Sequence, residues 1–127
     1  MSITHISLWW LKEPDNSEHH SQIQKALESL RDVPGVRDLT YGPVLSGIPK
    51  PAGTYPRFEQ AVSALPIEYD ATYDYGISIT FDSTEGVDAY QPHPVHVAAV
   101  DVIGQFTRRI YTLYFDDSAV HAGAAVR

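Results

Sequence analysis

The chain has 127 residues, of which 43% are hydrophobic and 20% charged, and this length and composition fit one globular domain. It carries a formal net charge of −7 and no cysteine, which excludes disulfides, thiolate catalysis and cysteine-based metal centres and disfavours nucleic-acid partners, since these usually meet a basic face. No apolar run approaches the roughly 20 residues that cross a bilayer, so we expect no membrane partner. The lack of cysteine and of a secretory-signal pattern in the first ten residues fits a cytoplasmic protein.

The first third of the chain predicts a strand, a helix and a second strand. Residues 3–11, ITHISLWWL, carry large apolar groups on both alternating faces, which predicts a strand covered on both sides. A helix follows, capped within residues 15–17 and ended by the Pro-Gly pair at 34–35. Its buried stripe is Ile23, Ala26, Leu27 and Leu30. Residues 36–42 read as the second strand.

A long connection covers residues 43–70 and contains five prolines. A connection of this length is uncommon inside a compact domain, and it is either a lid or binding loop or a surface insertion. A short helix with one apolar face fits residues 58–65. The small residues of the 118–127 tail show no pattern, so we expect this tail to be disordered.

The second half of the chain predicts a strand, two helices and a last strand. Residues 72–81 alternate cleanly between apolar and polar, as a half-buried strand does. A short helix over 83–90 comes next, and Pro94 opens another helix with His93 as its cap. Residues 108–115 form the last strand.

This order of elements fits a ferredoxin-like α+β fold, in which a four-stranded antiparallel sheet carries its helices on one face. We expect one such domain over residues 1–117. The other face of the sheet would be bare, yet Ile6, Leu8 and Trp10 of the first strand should point from it. A second copy of the same sheet would cover these side chains, so the sequence predicts a homodimer and a dimeric α+β barrel.

The segment AYQPHPVHVAAV, residues 89–100, carries the most chemistry. With Pro94 as the first helical residue, His96 lies in the first turn and shares an apolar face with Val100 and Ile103. The imidazole should therefore point towards the sheet, and the helix N-terminus favours its neutral form. A neutral, partly buried imidazole suits a general base near pH 7. The alternative is a histidine that only binds a backbone carbonyl.

Further side chains could form a pocket beneath His96. The candidates on the first and third strands are His5, Ser7, Trp9, Tyr75 and Ile77. Such a pocket, apolar with few polar groups, suits a small hydrophobic ligand. Tyr90 is a candidate partner of His96 or a packing residue, and His93 is a candidate contact at the edge of the pocket. A single histidine such as His5 is more often a core residue, so His5 is a candidate only as a member of this group.

Metal or haem binding is a third interpretation that the sequence supports poorly. His19 and His20 are adjacent at an exposed helix start, where two neighbouring side chains cannot converge on one ion. His93 and His96 have a usable spacing, but His93 as a cap should face solvent. We therefore predict neither a metal nor a cofactor.

Four segments together resemble the stress-responsive A/B barrel (Dabb) family: ITHISLWW, VPGV, YDYGISITF and, above all, AYQPHPVHVAAV. The resemblance spans roughly residues 3–116. It implies a ferredoxin-like protomer and a dimer whose two sheets close into a barrel, in agreement with the argument from the bare sheet face.

The resemblance also implies a chemistry. In the plant cyclase of this family that forms olivetolic acid by intramolecular aldol condensation, a tyrosine and the second motif histidine carry the reaction. These positions correspond to Tyr90 and His96, and a pocket histidine of the first strand corresponds to His5. The third-strand histidine of that enzyme is replaced by Tyr75, and Pro92 also departs from the usual pattern.

Two functions follow as hypotheses. In a cyclase-like enzyme, His96 would act as general base, Tyr90 would hold the imidazole or the developing enolate, and His5 and Tyr75 would orient the substrate. The alternative is a non-catalytic, stress-related structural or ligand-binding protein.

Overall fold

The computed structural model describes residues 2–45 and 70–117, so the predicted helix at 58–65, most of the 43–70 connection and the 118–127 tail lie outside the described residues. The elements are β1 (Ile3–Leu11), α1 (Ser17–Ser29), β2 (Val36–Pro43), β3 (Tyr75–Phe81), α2 (Thr84–Tyr90), α3 (Pro94–Phe106) and β4 (Thr107–Asp116). The described elements thus follow the predicted order. No helix in the described ranges is long and apolar enough to span a bilayer.

The four strands form one antiparallel sheet in the order β2-β3-β1-β4. β1 lies inside the sheet, and His5 pairs with Ile79 of β3 on one side and Tyr114 of β4 on the other. Two residues further along β1, Ser7 pairs with Ile77 and with Thr112. This is the ferredoxin-like arrangement predicted from the order of the elements.

Side-chain caps fix where each helix begins. The Asn16 side chain accepts a hydrogen bond from the His19 backbone N–H at 3.1 Å. At α3, His93 Nδ1 accepts from the Val95 N–H at 3.2 Å, and Pro94 follows as the first helical residue, where its missing N–H costs nothing. These caps satisfy backbone donors that have no partner inside the helix. The predicted start of α3, and therefore the position of His96 in its first turn, is confirmed.

The core lies between the helices and one face of the sheet, and α1 packs against α3 over it. Its larger buried side chains are Trp9, Leu11, Ile23, Leu27, Tyr75, Ile77, Ile79, Phe81, Tyr90 and Ile103. Gly35 makes the turn into β2 with φ of +95°, and a Cβ there would lie 3.0 Å from the Cα of Gly86. Only glycine fits that crossing between the turn and α2.

The opposite face of the sheet is partly bare, as the sequence predicts. Leu113 and Phe115 of β4 are 42% and 48% exposed on this face. Trp10 differs from the expectation, because it is only 2% exposed within the single chain. The Arg109 guanidinium lies 4.3 Å from its ring centroid, and its indole N–H donates to the Thr72 hydroxyl at 2.9 Å. Neighbouring side chains of the same chain therefore cover Trp10 without a second copy.

Candidate functional site

A cavity of about 350 Å³ lies between the helices and the covered face of the sheet. Most of its wall is apolar: Trp9, Leu27, Leu30, Ile77, Ile79, Ala99, Val100, Ile103 and Ile110. Its polar groups are His5, Ser7, Tyr90, Gln91, His96, Thr112 and Tyr114. No Lys, Arg, Asp or Glu belongs to this described lining. A concave, mainly apolar space with a few convergent polar groups is the usual form of a small-molecule site.

The cavity opens between the first half of α3 and the edge strand β4. Val100, Ile110 and Tyr114 line it and are 48%, 47% and 41% exposed. Ile77 and Ile103 form deeper parts of its wall, and each is 4% exposed. A ligand would therefore enter past the start of α3, where His96 lies.

His96 is held by a backbone contact that determines its tautomer. Its Nδ1 lies 2.9 Å from the Gln91 carbonyl oxygen, and a carbonyl can only accept. Nδ1 therefore carries the hydrogen of the neutral ring, and Nε2 presents a lone pair. None of the hydrogen bonds among the described residues involves Nε2. The carbonyl contact that the sequence left as an alternative occupies one nitrogen and leaves the other for a ligand.

His5 is held in the opposite tautomer. The Thr112 hydroxyl donates to the Ile6 carbonyl oxygen at 3.2 Å, so its oxygen accepts from His5 Nε2. His5 Nδ1 is buried and has no partner within the described residues. A proton there would be an unpaired buried donor. Burial and, second, the nearby His96 lower the pKa of His5 from 6.5 to about 4, so the ring is neutral at pH 7.

Tyr90 forms the wall beside His96. Its ring packs edge-on against Phe81, with centroids 4.9 Å apart, and it is 2% exposed. Burial, with a smaller contribution from Tyr114, raises the pKa of Tyr90, so the phenol remains a neutral hydrogen-bond donor. In the described part of the chain its hydroxyl has no hydrogen-bond partner.

Three further polar residues of the site were missed by the sequence analysis: Gln91, Thr112 and Tyr114. The Tyr114 ring lies parallel to the His5 ring, with centroids 4.2 Å apart and 4° between planes. Gln91 Nε2 donates to the Tyr114 hydroxyl at 2.7 Å. Alternation along the last strand places Thr112 and Tyr114 on one face, but only the register of the sheet shows that they face His5.

Six of the eight predicted site residues line the cavity: His5, Ser7, Trp9, Ile77, Tyr90 and His96. The Ser7 hydroxyl accepts from the Trp9 indole N–H at 2.8 Å, which fixes the indole in the wall. Tyr75 is not part of this lining. It pairs with Trp9, nearer the start of α1, and its hydroxyl lies 2.5 Å from His20 Nδ1. His93 caps α3 and is also outside the lining.

Metal ligands do not converge in the described part of the chain. Residues 2–45 and 70–117 contain no group of three or more His, Asp or Glu side chains that could hold an ion. The described lining of the cavity supplies two imidazoles, of His5 and His96, and two phenols, of Tyr90 and Tyr114.

The chain matches the model of the stress responsive A/B barrel domain over residues 54–116. The predicted resemblance to this family is confirmed. No curated protein matches the chain.

Solved structures show the same fold. A dimeric ferredoxin-like protein of unknown function from Thermobifida fusca is 24% identical, with a TM-score of 0.64 over 91% of this chain and 90% of that chain. A Dabb family protein from Mesorhizobium loti is 20% identical, with a TM-score of 0.65 over 91% of this chain and 95% of that chain. SnoaB, a cofactor-independent oxygenase from Streptomyces nogalater, is 10% identical, with a TM-score of 0.58 over 91% of each chain.

Proposed function

Starting from the match to the stress responsive A/B barrel family, we propose that this protein binds a small, mainly apolar ligand in the cavity beneath His96. We further propose that His96 acts there as the general base of an intramolecular aldol cyclisation. The supporting observation is the fixed tautomer of His96, whose Nδ1 is bound by the Gln91 carbonyl while Nε2 has no partner among the described residues.

The reaction moves protons and makes one carbon–carbon bond. His96 Nε2 takes a proton from a methylene group between two carbonyls of the ligand. The resulting carbanion bonds to the carbon of another carbonyl in the same molecule, and that carbonyl oxygen receives the proton from the imidazolium. Loss of water then completes the conjugated ring. The neutral Tyr90 phenol would donate to the enolate oxygen as charge develops there.

The protein would work as a homodimer. The sheet face that carries Ile6, Leu8, Leu113 and Phe115 is incompletely covered within one chain. Three of the similar structures are described as dimeric. Packing two such faces together would bury these apolar side chains and close a barrel, while the cavity lies on the helix side of each sheet.

Ligand binding in the cavity can be tested by filling it. Ala99 lines the cavity and is 3% exposed, whereas Val97 is 46% exposed on the same helix. We expect linear 1,3-diketones to change the tryptophan fluorescence, since Trp9 is part of the wall. Ala99→Phe should abolish this binding and Val97→Phe should preserve it. Equal binding by both folded variants would place the ligand elsewhere and contradict the proposal.

Ligand binding without chemistry is the second candidate function. The burial of Tyr90 between Phe81 and His96 favours it, because packing alone accounts for that side chain. Incubation with linear polyketones separates the two candidates. Formation of a conjugated ring at a rate above that of buffer supports the cyclase, and saturable binding without product supports the second function.

A further inference from the structure

Gln91 contacts one of the cavity histidines, His96, and the residue that stacks on the other, His5. It lies in the turn between α2 and α3, and its carbonyl oxygen accepts from His96 Nδ1 at 2.9 Å. Its side-chain amide donates to the Tyr114 hydroxyl at 2.7 Å, and the Tyr114 ring is stacked on His5. One residue thus joins His96 directly and His5 through Tyr114.

We infer that Gln91 and Tyr114 are a positioning pair at the mouth of the cavity, in which Gln91 anchors the Tyr114 ring and this ring orients His5 and shields it from water. The inference rests on the proposed function only for its use in catalysis, because the contacts themselves are all made within the chain. In this role, neither the Gln91 nor the Tyr114 side chain has to touch the reacting atoms of the ligand.

The position of Tyr114 explains why it needs an anchor. It lies on the edge strand β4 and is 41% exposed, so the core does not fix its ring. A parallel stack on His5, with 4° between the planes, requires the ring to stay in one orientation. The hydrogen bond from Gln91 holds the outer end of the ring, while the backbone of β4 holds the inner end.

The shielding of His5 follows from what surrounds it. Ile79 of β3 and Thr112 of β4 flank the imidazole, and the titratable groups that face it are His96, Tyr90 and Tyr114. No carboxylate, Lys or Arg is part of the described cavity lining. Removing the Tyr114 ring would admit water to the imidazole, and solvation favours its charged form.

The test is an NMR titration of the His5 imidazole in the ligand-free protein, with its resonances assigned from a His5→Gln variant. The wild-type midpoint should lie near the pKa of about 4 that burial imposes. Tyr114→Ala should raise it by about one unit or more, since burial is the larger cause of the shift. Tyr114→Phe and Gln91→Met each remove the hydrogen bond between the two residues but leave an aromatic ring at position 114. Both variants should raise the His5 midpoint by the same amount, which should be smaller than the rise in Tyr114→Ala.

Two control variants separate positioning from general loosening. Tyr111 lies beside Leu8 on the opposite face of the same strand, the face proposed to pack in the dimer, and the sheet separates it from His5. Tyr111→Ala should therefore leave the His5 midpoint unchanged. Gln22 binds Glu18 on the surface of α1, and Gln22→Met should also leave it unchanged. An unchanged midpoint in Tyr114→Ala, or an equal rise in Tyr111→Ala, would overturn the inference. The titration is carried out on the protein alone. A failure to bind 1,3-diketones would therefore contradict the proposed function but would not affect the inference about Gln91 and Tyr114.

Discussion

The Tyr90 ring packs against the His96 imidazole, with ring centroids 4.1 Å apart and planes inclined by 36°. The imidazole is therefore held twice, by this ring and by the hydrogen bond from Nδ1 to the Gln91 carbonyl. Both contacts are made within the chain, by Tyr90 at the end of α2 and by Gln91 in the turn that follows it, and together they set the orientation of Nε2. A base held in this way loses little freedom when a ligand arrives, which is a condition for efficient proton transfer.

The His96→Ala variant tests the proposed base. We expect the turnover of a linear polyketone to fall by about 10²-fold or more, because a positioned general base contributes that much. Loss of one hydrogen bond should lower the free energy of unfolding by about 1 kcal/mol. Turnover can be followed from the absorbance of the conjugated product, and stability can be measured by urea denaturation.

His93→Ala is the matched control for the His96 variant. His93 caps α3 and lies outside the cavity lining, so its loss should cost about 1 kcal/mol of stability and leave turnover close to that of the wild type. A folded His96→Ala protein with full activity would rule out His96 as the base.

The Tyr90→Phe variant separates chemistry from packing at the second proposed catalytic residue. Phenylalanine keeps the contacts with Phe81 and His96 and removes only the hydroxyl. We expect the free energy of unfolding to change by less than about 1 kcal/mol, because none of the hydrogen bonds among the described residues involves this hydroxyl. If the phenol stabilises the enolate, kcat should fall about 10-fold or more while ligand affinity stays similar. An unchanged kcat would show that Tyr90 serves packing alone.

The lowered pKa of His5 predicts a dependence of stability on pH. Above pH 6.5 His5 is neutral in both the folded and the unfolded chain, so it has no effect there. Between 6.5 and about 4 the unfolded chain binds a proton that the folded protein does not, so stability falls as the pH falls. Below about pH 4 the free energy of unfolding stops falling on account of His5. The total loss should be about 1–2 kcal/mol, because the partial exposure of His5 reduces the effect of burial.

Urea denaturation between pH 7 and pH 4 measures this contribution, with His5→Phe as the comparison. Phenylalanine preserves a ring for stacking on Tyr114 but cannot titrate. The difference in stability between the two proteins should change with pH in the His5 window, whereas carboxylates that titrate in both proteins cancel. A difference that stays constant from pH 7 to pH 4 would contradict the burial argument for His5.

The proposed dimer can be tested on the bare face of the sheet. Leu113 lies beside Ile6 on this face and is 42% exposed. Leu113→Asp should convert the dimer to a monomer in sedimentation velocity, because a buried unpaired carboxylate is strongly unfavourable at an apolar interface. Val97→Asp is the control, since Val97 is similarly exposed on α3. A wild-type protein that sediments as a monomer, or loss of the dimer only in the control, would exclude this interface.

The sequence predicted the local features of the site well. The proline at position 94 can open a helix but not continue one, so the start of α3 and the place of His96 followed from a few neighbouring residues. The alternation of β1 likewise placed His5, Ser7 and Trp9 on one face. Alternation along β3 did not show where Tyr75 would lie, because the pairing with Trp9 moves it out of the cavity towards His20.

By itself, then, the sequence determined the order of the elements, the helix caps and the faces of the strands, since each depends on backbone chemistry within a few residues. Only the tertiary structure decided which side chains meet. The register of β4 against β1 brings Thr112 and Tyr114 to His5, and the turn after α2 brings Gln91 to both Tyr114 and His96. His5 and Thr112, which are in contact in the site, are 107 positions apart in the sequence. Such pairings are set by the packing of the whole sheet against its helices, which is a property of the fold and not of any local pattern.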